Sequence, residues 1–131
     1  MASTPSFAST LVAASGLVPA TFDTSLTAPS NATTIISDGG TSGTVVHEIV
    51  AQGVGTTVAA VLNIFLHDGS TYHLVDQILV SAVTSSTTAV AFRARRQYEN
   101  LFIPDNWSLR VSQTVSGNQS MIKVTAFGGA I

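Results

Sequence analysis

The chain has 131 residues, of which only 9% are charged, with a formal net charge of −2 and no cysteine. That length suits one domain with a real core. It holds no disulfide framework or thiolate metal site, and its charge balance argues against gripping nucleic acid by broad phosphate neutralisation.

Residues 1–20, MASTPSFASTLVAASGLVPA, contain no Lys or Arg, and Pro5, Ser9, Thr10, Ser15 and Gly16 interrupt the apolar positions. This pattern is not that of a secretion signal. Short strands are predicted over residues 6–13, 20–26 and 33–36, punctuated by Pro19 and Pro29, because proline sits at strand ends and edges. The segment 1–40 reads either as edge strands of the same domain or as an arm laid on a neighbouring subunit, with the isolated Phe7 and Phe22 as anchors.

Residues 38–43, DGGTSG, form a loop. They lack the Lys-Ser/Thr pair and following helix of a phosphate-binding loop. A β-rich run follows over residues 44–51, then a turn over 52–56. Residues 57–80, TVAAVLNIFLHDGSTYHLVDQILV, read as two long strands joined at His67-Asp68-Gly69-Ser70. Asp-Gly between apolar runs is a strong hairpin signal, because glycine supplies positive φ without steric cost. Leu62, Ile64 and Leu66 share the better core face of the first strand, and Leu74, Ile78 and Val80 share a face of the second with Asp76. The register stays open, because a one-residue slip turns every side chain over.

After a polar turn at 84–87, residues 88–98 alternate, with Val90, Phe92 and Ala94 opposite Arg93, Arg95 and Gln97. Residues 99–106, ENLFIPDN, are predicted as a connection, with Leu101, Phe102 and Ile103 plugging one end of the core. Strands are predicted over 107–115, carrying Trp107, Leu109 and Val111 inward, and over 120–127, carrying Ile122, Val124 and Ala126. Residues 128–131 form the tail. No segment keeps a 3.6-residue period. About eight evenly spaced strands imply an all-β antiparallel sandwich, and a jelly roll is its expected form.

Little in the sequence points to reaction chemistry. The histidines are His47, His67 and His73. A metal needs them to converge with a carboxylate, whereas His67 and Asp68 are adjacent on an extended strand and diverge, so no metal or cofactor is predicted. There is no Gly-x-Ser-x-Gly elbow,, and the few acids fall mostly in turns, so an enzyme is not expected. Trp107 alternates with core residues and reads as core. Matches to the glycosylation pattern at Asn31, Asn106 and Asn118 are the chance product of a chain rich in Asn, Ser and Thr. Arg93, Arg95 and Arg96 are the one cluster of charge. They read either as a solvated strand face or as bidentate contacts to a partner's acids. Ser, Thr, Asn, Gln and Gly replace the missing charge, and such a surface suits a protein packed against neighbours. The candidate contact residues are therefore Phe7, Phe22, His67, Asp68, Arg93, Arg95 and Arg96.

Phe65-Leu66-His67-Asp68-Gly69, Leu101-Phe102-Ile103-Pro104, Trp107-Ser108-Leu109-Arg110-Val111-Ser112 and Val124-Thr125-Ala126-Phe127-Gly128-Gly129 stand in this order. Together they resemble a family of small tailed-bacteriophage virion proteins, over roughly residues 43–131. The resemblance implies a non-enzymatic structural protein on the virion, assembled in the host cytoplasm. Its implied role is capsid decoration or minor capsid, cementing the major capsid protein from outside. Self-association is part of that expectation, with a homotrimer first and a dimer second. The alternative is a tail, neck or fibre component with a receptor- or carbohydrate-binding role. Neither nucleic acid nor membrane is among the expected partners.

Overall fold

The computed structural model describes residues 10–131. Phe7 and the start of the strand predicted over 6–13 lie outside them. The described chain forms eight strands: β1 (Thr10–Leu17), β2 (Thr33–Ile36), β3 (Thr44–Gly53), β4 (Ala60–His67), β5 (Tyr72–Val80), β6 (Arg93–Ile103), β7 (Ser108–Gln113) and β8 (Ile122–Ala130).

The β4–β5 hairpin is the innermost unit. Four residues, Asp68 to Thr71, connect His67 to its partner Tyr72. The turn is built by Asp68, whose Oδ1 accepts from the Ser70 N–H at 2.9 Å and the Thr71 N–H at 2.8 Å. The Asp68 N–H donates to the Thr71 carbonyl. Gly69 sits at φ +105, which a side chain would strain,. Pairing runs cleanly from His67↔Tyr72 to Leu66↔His73 and Phe65↔Leu74, then jumps to Ile64↔Asp76. Val75 is thus a bulge residue. This corrects the reading of β5. The bulge turns Leu74 outward, opposite Phe65, and leaves it more than a third exposed, while Ile78 and Val80 stay buried.

The remaining strands nest around this hairpin in antiparallel pairs: β3 with β6, β2 with β7, and β1 with β8. Pairing of β3 with β8 and β4 with β7 then joins them into two four-stranded sheets, β1-β8-β3-β6 and β2-β7-β4-β5. A long hairpin rolled up in this way is the jelly roll. Between the sheets lie Val46, Ile49 and Ala51 of β3, Leu62 and Ile64 of β4, and Leu109, Val111, Ile122, Val124 and Ala126 of β7 and β8. β4 is buried on both faces. Asn63 and Phe65 on its outer face are as inaccessible as Leu62 and Ile64 on its inner one.

Further predictions are corrected. Residues 20–26 form no strand. Their segment's backbone donors turn to a side chain instead, since the Asp23 carboxylate accepts from the N–H groups of Ser25, Ser30 and Asn31. Such local bonding competes with a ladder. Residues 88–92 are loop, and Val90 is 88% exposed. β6 starts only at Arg93, where it meets Gln52, the penultimate residue of β3. In return β6 runs on through Ile103, so the predicted connection over 99–106 shrinks to the turn in which Trp107 N–H donates to the Pro104 carbonyl. Leu101 and Ile103 pack on the core as expected, but Phe102 points outward and is over two-fifths exposed. Gly128, Gly129 and Ala130 belong to β8 rather than to a tail.

Candidate functional site

The jelly roll has two ends. At one lie the β2–β3 loop, the hairpin tip at 68–71, the β6–β7 turn and the start of β1. At the other lie the connections 18–32, 54–59, 81–92 and 114–121. The candidate residues divide between them. His67 and Asp68 are at the hairpin end, Arg93 begins β6 at the far end, and Phe22 is exposed in the connection 18–32. The fold does not bring them together.

At the hairpin end, His73 Nε2 meets Asp68 Oδ2 at 3.1 Å, and its ring stacks on Trp107 with centroids 5.4 Å apart and planes 15° from parallel. Trp107 itself is partly buried and packs against the core. On the outer face, His67 and Phe65 both contact the Tyr72 ring, the second edge-on at 5.5 Å. Arg110 donates from Nη1 to the Tyr72 hydroxyl and from Nε to Ser108 Oγ, both at 2.9 Å. The Thr71 and Ser70 N–H groups, then His73, hold the Asp68 carboxyl far below the usual carboxylate range,. Every partner in this cluster is internal to the turn and its neighbours. Among the described residues no three His, Cys, Asp or Glu side chains converge as a metal-ligand group. The cluster is an internally bonded tip carrying an aromatic wall.

The arginines have separate tasks. Arg95 Nε meets Glu48 Oε1 at 2.9 Å on the outer face of the β3–β6 pair, and Arg93 reaches only Gln52, at 3.4 Å. Arg96 turns the other way and ties the sheets together. Its Nε meets Asp76 Oδ2 at 3.2 Å and its Nη2 donates to the Gln77 carbonyl at 2.7 Å. The Tyr98 hydroxyl donates to the same Asp76 oxygen at 2.8 Å. Burial and then the Asp76 carboxylate push the Tyr98 phenol well above its ordinary pKa. Arg96 is therefore a clasp between β5 and β6, and among the described residues Arg93 alone of the three lacks a carboxylate partner.

The register exposes a feature that sequence reading missed. Leu11 stands opposite Gly129, Gly129 opposite Val45, and Val45 opposite Phe102. Cross-strand neighbours share a face, so these residues form one row across the outer face of all four strands. Phe127, opposite Ala13, adds an aromatic ring to the next row. Leu11 is 88% exposed, while Phe102 and Phe127 are about half as open. The same face ends in Lys123, Gln52 and Arg93. It is thus apolar toward the hairpin end and polar at the other. Alternation alone places Leu11, Val45 and Phe127 on outer positions, but only the pairing aligns them. No family model matches this chain, and no curated protein or solved structure matches it.

Proposed function

We propose that this chain is a non-enzymatic structural protein of a phage virion, binding the outside of the major capsid lattice as a decoration or cement protein. The observation that carries the reading is the apolar row Leu11–Gly129–Val45–Phe102 with Phe127 beside it, at the hairpin end of a sheet face whose charges, Glu48, Arg95, Arg93 and Lys123, lie beyond that row. Exposed apolar rows rimmed by polar residues mark protein contact surfaces. An apolar row costs little to desolvate against a partner. Jelly rolls are also a recurrent architecture of capsid proteins, which supports the reading without deciding it, because one fold hosts many functions. A protein that binds only the assembled lattice stabilises it by mass action.

The test uses expanded capsids lacking the protein. Added protein saturates the lattice and raises the temperature at which the capsids break, and Phe127→Asp binds more weakly while melting like the parent. Capsids that ignore the protein overturn the reading. One observation favours a second reading, a tail or fibre component that binds carbohydrate: the Trp107–His73 stack and the Tyr72 ring at the hairpin end. Saturable glycan binding lost on His73→Ala would favour it.

A further inference from the structure

Each sheet has two edges, and three of the four are obstructed. β6 carries Arg93, Arg95, Arg96 and Glu99. β5 is kinked by the Val75 bulge and gripped by Arg96 at Gln77 and Asp76. β2 is four residues long and loses register between Thr34 and Ile36. Charges, bulges and shortness are the usual defences of a sheet edge. β1, TLVAASGL, has none of them: eight residues without charge or proline, in unbroken register with β8.

Its free side can be identified. Val18 donates to the Ile122 carbonyl at 2.9 Å, continuing the β1–β8 register by one step. Antiparallel pairs alternate between bonded and non-bonded. The N–H and C=O groups of Val12, Ala14 and Gly16 therefore point at β8, and those of Leu11, Ala13, Ser15 and Leu17 point away from it. β1 is an edge of its sheet, so no strand among the described residues lies on that side.

We infer that β1 pairs antiparallel with β1 of a second copy, about a twofold axis at Ala14. Directly opposed residues must share a face. Centring on Ala14 sets Leu11 against Leu17 and Ala13 against Ser15, the four residues whose backbone groups point away from β8. Centring on Ala13 sets Leu11 against Ser15 and Leu17 against residue 9, which lies outside the described residues. The Ala14 seam joins two four-stranded sheets into one of eight. It also covers Val12 and Ala14, which are only partly buried against their own core. The contact uses the same patch on both copies, so it closes and does not propagate into a fibre. This inference stands apart from the capsid reading, and a twofold seam gives a dimer in place of the expected trimer.

Sedimentation of the full chain tests it, with a predicted mass twice the 13.5 kDa of the chain. Ser15→Pro removes an N–H on the open side and spares the bonds to β8, so the variant sediments as a monomer and still melts cooperatively, losing only the stability that the dimer adds. The chain has no cysteine of its own, so a single engineered thiol reports the register. Ala14 faces itself in a non-bonded pair, where Cα atoms stand about 4.5 Å apart, within disulfide range. Ala14→Cys then cross-links on mild oxidation, and Ala13→Cys, offset from its own copy, does not. A wild-type monomer, a trimer mass or equal cross-linking of both thiols overturns the inference. If Ser15→Pro fails to fold, the cysteine pair decides.

Discussion

Asn118 lies in the β7–β8 connection and is fully buried. Its Oδ1 accepts from the Val58 N–H at 2.9 Å and its Nδ2 donates to the Val58 carbonyl at 3.0 Å. The side chain thus imitates a strand neighbour and pins together two connections 60 residues apart in sequence. Asn118→Ala deletes both bonds and strands two backbone groups where water enters poorly. At about 1 kcal/mol for each bond, plus part of the desolvation cost of the orphaned groups, the loss is about 2–4 kcal/mol. In urea, with a slope of about 1.5 kcal/mol/M for a chain of this size, the midpoint falls by about 1.3–2.7 M. Asn118→Asp separates the bonds from simple bulk. The carboxylate keeps an acceptor for Val58 N–H but sets lone pairs against the Val58 carbonyl, so it destabilises as much as alanine. Circular dichroism during urea titration reads both variants. A loss below about 1 kcal/mol in either variant would refute the pinning argument.

Two further outcomes follow from the same structure. The carboxylates of Asp23, Asp38 and Asp68 lie below their ordinary pKa because backbone N–H groups bond them, led by those of Ser25, Gly40 and Thr71 respectively. A depressed folded pKa favours the ionised form in the fold. This stability is therefore fully present above about pH 4 and declines as pH falls through the lowered values. Thermal melts from about pH 6 downward should show that acid limb, and Asp68→Asn should shorten its lowest part; a flat profile contradicts the assignment. Gly128 allows β8 to approach β3, since a Cβ there would fall inside contact distance of the Val45 carbonyl. Gly128→Ala should cost about 1–3 kcal/mol and raise amide exchange along β3 and β8, and a parental melt would show that the strands can yield.

The sequence-legible parts are those set by short-range signals. The Asp68-Gly69 turn, the alternation of Leu109 and Val111, and the alternation of Ile122, Val124 and Ala126 all follow from side-chain period and turn chemistry. So does the jelly-roll class, because eight strands around one central hairpin admit few other arrangements. What was hidden depends on partners distant in the chain. Alternation over 88–92 promised a strand, but β3 offers no partner beyond Gly53, so Val90 projects into solvent. The Val75 bulge reverses Leu74, and nothing local in Leu74-Val75-Asp76 marks it. Arg93, Arg95 and Arg96 looked like one cluster, yet Asp76 draws Arg96 across the edge and Glu48 holds Arg95. The apolar row across β1, β8, β3 and β6 needed the register of three strand pairs.

The location of the protein on an intact particle tests the central claim most directly. Gold-labelled antibody against the purified chain, imaged on whole virions, should mark the head at repeating lattice positions. Label confined to the tail, or no label on intact particles that contain the protein, would contradict a role on the outside of the capsid.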